Sequence, residues 1–182
     1  MPPSSDQDER RIGPARRAAE VPRSTPALDI TLTTDWVSPS VARDRVRAWL
    51  ISHHWSPAHT DDLVLAVNEA VTNSIEHGYG ISPEAAATGP ALPHATVEVH
   101  GEIAFDDQGH RYAEFVVRDR GDWRSPTSDA TRGNGIRLMR ACTADFTIQH
   151  SISGTTVQLR SHPLPALPHQ SPMETPDDTG AG

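Results

Sequence analysis

Three polar side chains recur at every fourth position of an otherwise apolar segment, LVLAVNEAVTNSIEHGYG. They are Glu69, Asn73 and His77. Four-residue spacing places such side chains on one face of a helix. A carboxylate can orient or deprotonate a nucleophile, and an amide oxygen is a hard ligand suited to a Mg²⁺ ion that also holds phosphates. The segment therefore predicts a helix with one face free for chemistry, although a solvated polar face has the same spacing.

Three glycine-containing motifs lie where the chain leaves a strand or begins an element. Asp119 follows the apolar run EFVVR and therefore lies where a predicted strand ends. A carboxylate there can accept a hydrogen bond from an exocyclic amine, and Gly121 permits a sharp turn. Residues 133–135 (GNG) precede IRLMRAC, and the N–H groups at a helix start can bind phosphate. Residues 154–156 (GTT) open the last predicted strand. Each motif alone also fits an ordinary turn.

The composition narrows the expected partners. The 182 residues carry a net charge of −8 without a clustered basic patch, which argues against direct nucleic-acid or membrane binding. All 16 basic residues are Arg, so phosphate contacts are expected from Arg, backbone or metal. Cys142 is the single cysteine, and neither a membrane-spanning run nor a signal peptide is apparent. We therefore expect a cytoplasmic protein that binds a small ligand or another protein.

The hydrophobic pattern predicts the order strand, two helices, two strands, polar loop, helix, two strands. Ser38-Pro39 and Ser56-Pro57 are predicted helix starts, each an N-cap followed by a first-turn proline, and the second helix is predicted to run to about His77. Helices on one face of a mixed, mostly antiparallel sheet form a two-layer α/β sandwich of the α+β class. This domain is predicted at 27–161, between Pro-rich disordered tails at 1–26 and 162–182.

Together, the motifs resemble those of the GHKL (histidine kinase-like) family of ATP-binding domains, in particular its anti-sigma factor serine/threonine-protein kinase branch. In that family an E-x-x-x-N box lies on a helix, D-x-G follows a strand, G-x-G precedes a helix and G-T enters a late strand. The matching residues, in the same order, are Glu69 and Asn73, Asp119 and Gly121, Gly133 and Gly135, and Gly154 and Thr155. The resemblance covers residues 28–160 and implies the Bergerat-type ATP-binding fold.

The resemblance also implies a role for each matching residue. Asn73 would coordinate Mg²⁺, Asp119 would bind the adenine amine of ATP, and Glu69 would polarise the attacking hydroxyl. Around the base, the expected contacts are Gly121 in the base pocket, Thr155 near the adenine and Trp123 against the pocket. Around the phosphates, they are Gly133 and Gly135 in the lid, which is the segment that bends around the phosphates, and Arg132 beside it. His77 is expected to contact the nucleotide from the helix of the E-x-x-x-N box. His77 also fits a helix cap and Arg132 a solvated side chain. Trp123 stands where many relatives carry a second glycine, which puts the nucleotide affinity in question.

The function implied is that of an ATP-binding anti-sigma factor. It would phosphorylate a serine or threonine on a STAS-domain anti-sigma factor antagonist and sequester a sigma factor. The alternative is a non-catalytic ATP-binding module that sequesters a protein partner, and a degenerate member without nucleotide is a third interpretation. The resemblance further implies a homodimer and a partner surface at residues 41–55.

Overall fold

The computed structural model describes residues 26–82, 94–122 and 134–167. Its five strands are β1 (Leu28–Thr33), β2 (Thr96–Phe105), β3 (Arg111–Asp119), β4 (Asp145–Ser151) and β5 (Gly154–Arg160). Its helices are α1 (Ser38–Ser52), α2 (Pro57–Asn73) and α3 (Asn134–Cys142), and α2 continues directly into a π-helical turn, Ser74–Gly78. The strands form one sheet in the order β1-β2-β3-β5-β4.

The core lies between the helices and one face of this sheet. Leu63, Val67 and Val71 from α2 are fully buried in one cluster with Val97 of β2 and Phe115 of β3. Burial of this apolar surface is the main favourable contribution to folding. The predicted α+β class and two-layer arrangement are confirmed. All pairings among the described strands are antiparallel, so the parallel pairing that a mixed sheet would include does not occur in this part of the chain.

The two first helices begin differently. At α2 the prediction agrees with the structure, because the Ser56 hydroxyl accepts a hydrogen bond from the His59 N–H at 3.4 Å. At α1 the predicted N-cap, Ser38, is instead the buried first residue of the helix. The capping group is the carboxylate of Asp35, whose Oδ1 accepts from the N–H groups of Val37 and Ser38 at 3.1 Å each. An acceptor placed before the helix can satisfy N–H groups that have no partner within it.

The described residues continue beyond the predicted domain boundary at 161. Leu164 exchanges two backbone hydrogen bonds with Arg111 at the start of β3, each 2.8 Å long. The guanidinium of Arg111 in turn donates to the carbonyl of His54 at 2.8 Å and lies 4.3 Å from the centre of the Trp55 ring. Residues 162–167 therefore lie beside the end of α1. The rest of the predicted tails, 1–25 and 168–182, lies outside the described residues, and no helix that is described has the length and hydropathy to cross a bilayer.

Candidate functional site

Glu69 and Asn73 meet the first turn of α3. Both side chains are half-buried on α2, and a Cβ built on Gly135 would lie 2.9 Å from Glu69 Oε2 and 3.6 Å from Asn73 Oδ1. A side chain at position 135 would therefore press against the Glu69 carboxylate and touch the Asn73 amide, and glycine allows the α3 backbone to approach them. The structure thus joins the carboxylate, the amide and a helix N-terminus, which are far apart in the sequence. A helix N-terminus carries partial positive charge that favours an anion.

Asp119 forms the opposite end of the site. Its side chain is buried at the end of β3, where Oδ1 accepts from the N–H groups of Gly121 at 3.0 Å and Thr155 at 3.3 Å. Its other oxygen, Oδ2, is buried and has no hydrogen-bond partner among the described residues. A buried carboxylate oxygen without a donor is energetically costly. The environment of Oδ2 therefore suits a ligand that brings a hydrogen-bond donor, such as an amine on a heterocyclic base.

Close backbone contacts surround Asp119. A Cβ on Gly121 would lie 2.1 Å from the carbonyl oxygen of Gly78, and a Cβ on Gly78 would lie 2.8 Å from Asp119 Oδ1. Gly154 has a φ of +123°, and a Cβ there would lie 1.9 Å from the Asp119 carbonyl oxygen. Glycines therefore surround Asp119: Gly78 lies against its carboxylate, Gly154 against its backbone carbonyl, and Gly121 against Gly78. The sequence predicts the end of a helix at about His77 and contains no signal for the contact between Gly78 and Asp119.

The two ends of the site are connected by α2 and its π-helical turn. At the usual helical rise of about 1.5 Å per residue, the nine residues from Glu69 to Gly78 span about 13 Å along the helix axis. The unpartnered Oδ2 of Asp119 is thus separated from the group formed by Glu69, Asn73 and Gly135. This geometry fits an elongated ligand with a donor-bearing base at one end and an anionic group at the other.

The remaining predicted site residues are placed as follows. Thr155 is buried, donates its N–H to Asp119, and has its hydroxyl 3.3 Å from His150 Nδ1. His77 is half-buried in the π-helical turn. The predicted helix does run to about His77, but its last turn is π-helical, and the wider hydrogen-bonding step of this turn shifts the four-residue register after Asn73. The predictions for Trp123, Arg132 and Gly133 lie outside the described residues.

Fold and site together define a nucleotide-binding domain of the two-layer α+β type. The chain belongs to the histidine kinase-like ATPase domain family, which matches residues 33–161. It is also similar to the crystal structure of the RsbU and RsbW domains of Rv1364c from Mycobacterium tuberculosis, with 27% identity and a TM-score of 0.53. That similarity covers 76% of this chain and 33% of the other, so the chain spans about a third of the length of that structure. The predicted family is confirmed, and its ligand is ATP.

The Gly121 contact makes a testable prediction about ATP binding. Gly121→Ala should lower the ATP affinity and destabilise the fold by about 1–3 kcal/mol, because the added methyl would collide with the Gly78 backbone. The matched control is Gly109→Ala, at a φ of +79° with open space around the new methyl. That variant should lose about 1 kcal/mol of stability from backbone strain alone and keep its ATP affinity. Calorimetric ATP titration and thermal unfolding measure both effects, and an unchanged ATP affinity for Gly121→Ala would contradict the prediction.

Proposed function

We propose that this protein is an ATP-binding anti-sigma factor. It phosphorylates a serine or threonine on a STAS-domain anti-sigma factor antagonist and sequesters a sigma factor. The observation that carries the proposal is the placement of Glu69 and Asn73 against the start of α3, at the opposite end of the site from Asp119. The similarity to a structure that contains an RsbW domain supports it. We place the protein in the cytoplasm, where a sigma factor acts on RNA polymerase.

Asn73 and the start of α3 would hold the phosphate end of ATP. No cluster of three or more His, Cys, Asp or Glu suited to a metal occurs in the described ranges, so Mg²⁺ would take oxygen ligands from the phosphates together with Asn73 Oδ1. When bound there, Mg²⁺ would neutralise phosphate charge. The start of α3 lies beside Asn73, and its N–H groups would complement the remaining negative charge. Gly133 and Arg132 are proposed as further lid and phosphate contacts.

The metal assignment predicts the behaviour of Asn73→Ala. This variant should bind ATP with Mg²⁺ about tenfold more weakly, since one of the oxygen ligands is lost. Its affinity for ATP in the presence of a chelator should remain close to that of the unaltered protein. Asn68→Ala is the matched control, because Asn68 lies on the same helix but accepts a hydrogen bond from Arg43 at the exposed surface. Equal losses of affinity with and without Mg²⁺ would contradict the assignment.

Glu69 is proposed as the group that accepts the proton. The hydroxyl oxygen of the substrate serine or threonine forms a bond to the γ-phosphorus, while the bond from that phosphorus to the bridging oxygen breaks. The electron pair of the broken bond leaves with ADP, and the hydroxyl proton passes to Glu69 Oε2. Gly135 lies directly against Oε2, so the start of α3 restricts where this carboxylate can point. Such positioning is the main contribution that a protein makes to phosphoryl transfer.

The proposed partner surface is the exposed part of residues 41–55. Val41 and Ile51 are exposed on α1, with 42% and 58% of their surface accessible. Trp49 and Trp55 in the same range are buried, at 8% and 5%, and belong to the core. Only the outer face of α1 is therefore proposed to contact a sigma factor, an antagonist or a second copy of the chain in a homodimer. The ATP-binding domain is proposed to comprise residues 27–161, with residues 162–167 attached to it through the pairing of Leu164 with Arg111.

The second candidate is a non-catalytic ATP-binding module that sequesters a protein partner. The contact between Glu69 and Gly135 favours it in one respect, because the carboxylate could hold the lid in place without receiving a proton. The two functions differ in phosphate transfer. ATP labelled at the γ-phosphate should transfer label to a STAS-domain protein with Mg²⁺ and not with a chelator. Binding of ATP and of a sigma factor without transfer to any STAS-domain protein from the same genome would favour the second candidate.

A further inference from the structure

Tyr79 inserts its hydroxyl into the end of the β2-β3 ladder. The last pair of this ladder is Val97 with Asp119, so the next step of the register would pair Thr96 with Arg120. Tyr79 Oη instead bridges these two residues. It accepts a hydrogen bond from the Arg120 N–H at 3.0 Å and donates one to the Thr96 carbonyl oxygen at 2.7 Å. One phenol group thereby takes the place of a direct backbone hydrogen bond between the strands.

The π-helical turn brings Tyr79 to this position. Tyr79 directly follows the turn, and its N–H donates to the Ser74 carbonyl oxygen at 3.2 Å. Its half-buried ring packs against the core. The side chain is therefore anchored at both ends, by the backbone and ring on the helix side and by the hydroxyl on the sheet side. A half-buried hydroxyl with one donated and one accepted hydrogen bond has a well-defined position.

The separation of β2 and β3 between Thr96 and Arg120 affects the position of Asp119, the residue just before Arg120. Because the phenol bridges Thr96 and Arg120, the chain leaves the sheet immediately after Asp119. Gly121, two residues after Asp119, then lies against Gly78 and donates its N–H to Asp119 Oδ1. A direct hydrogen bond between Thr96 and Arg120 would instead continue the ladder by one step. The exit point of the chain, and with it the position of the Asp119 carboxylate, therefore depends on the inserted hydroxyl.

We infer that Tyr79 is a positioning residue for adenine recognition. Its hydroxyl keeps the end of the β2-β3 ladder open and so fixes Asp119 Oδ2 where it can accept a hydrogen bond from the adenine amine. The inference rests on the assignment of Asp119 as the base-binding residue. Tyr79 itself need not touch the nucleotide, because it acts through the backbone of Arg120. Its effect should consequently be limited to ligands that use the Asp119 acceptor.

Tyr79→Phe tests this inference because it removes the hydroxyl and retains the ring. The probes are ATP and the purine nucleoside triphosphate that lacks the amine at the same ring position. The unaltered protein should prefer ATP. In Tyr79→Phe the affinity for ATP should fall about tenfold, the loss of one well-placed hydrogen bond to a charged group. The affinity for the amine-free nucleotide should stay within about twofold, so the preference disappears.

The control for loss of a phenol hydroxyl is Tyr112→Phe, at the only other tyrosine of the chain. Tyr112 lies on β3, and the guanidinium carbon of Arg160 lies 4.6 Å from the centre of the Tyr112 ring. The Tyr112→Phe variant should keep the preference for ATP. Thermal unfolding measured in parallel gives the folded fraction, and the ratio of the two affinities does not depend on it. An equal loss of affinity for both nucleotides, or an unchanged preference, would overturn the inference. If the unaltered protein showed no preference for ATP, the Asp119 assignment and this inference would fail together, whereas the kinase proposal is tested separately by phosphate transfer.

Discussion

Glu69→Gln is expected to reduce phosphate transfer by about 10²–10⁴-fold, the usual contribution of a positioned acid-base group. An amide cannot take the hydroxyl proton at neutral pH, but it has nearly the same shape as the carboxylate. The contact with Gly135 should therefore persist, and ATP affinity should change little. Transfer is measured from γ-labelled ATP to a STAS-domain protein in a single turnover, and affinity is measured by ATP titration of the same preparation.

Glu76→Gln is the matched control for this prediction. Glu76 lies in the π-helical turn, half-exposed, beside a groove that also contains Trp36 and Ile81. The same loss of one negative charge there should leave transfer unaltered. If Glu69→Gln transferred phosphate at the rate of the unaltered protein, Glu69 would not be the proton acceptor. Loss of ATP binding in Glu69→Gln would instead assign the carboxylate a role in holding the lid.

Asp119→Asn is expected to weaken ATP binding about 100-fold, since a site built around a hydrogen bond strongly rejects a mismatched group. The asparagine oxygen can still accept from the N–H groups of Gly121 and Thr155 in place of Oδ1. Its NH₂ group would then replace Oδ2, and a donor would face the adenine amine. Inosine triphosphate carries a carbonyl at that position, so Asp119→Asn should bind it relatively better than ATP.

This reversed preference separates base recognition from general destabilisation. Calorimetric titrations with the two nucleotides measure the preference, and thermal unfolding reports whether the buried amide is tolerated. Asp61→Asn is the control, because Asp61 is exposed on α2 and pairs with Arg47 at 2.6 Å, away from Asp119. It should bind both nucleotides as the unaltered protein does. An Asp119→Asn variant that still preferred ATP would show that the base is recognised elsewhere.

Local sequence patterns predict most of the fold and part of the site. Strands are signalled by apolar alternation, and helix ends by glycine or proline, and both signals depend only on nearby residues. The order of elements and the N-cap of α2 at Ser56 therefore follow from the sequence. The order of the motifs also indicates which segments meet, and the structure does bring Glu69, Asn73 and Gly135 together. The roles given to these residues stay predictions.

Most features that the sequence did not reveal depend on tertiary contacts. The cap of α1 is a local exception, because Asp35 lies only three residues before Ser38 and Asp is itself a favoured capping residue. The Tyr79 bridge requires the start of β2 to lie beside the turn that follows α2. No local pattern signals such an arrangement. An aromatic residue after a helix end is usually read as core packing, and its hydroxyl contact becomes visible only in three dimensions.

The measurement that tests the central claim most directly is tandem mass spectrometry of STAS-domain proteins after incubation with this protein, ATP and Mg²⁺. The proposed function predicts phosphate on one serine or threonine of a STAS-domain protein, formed with the unaltered protein and not with Glu69→Gln. ATP binding without phosphate on any STAS-domain protein of the same genome would contradict the kinase assignment. It would leave the chain as an ATP-binding member of its family that acts by sequestering a partner.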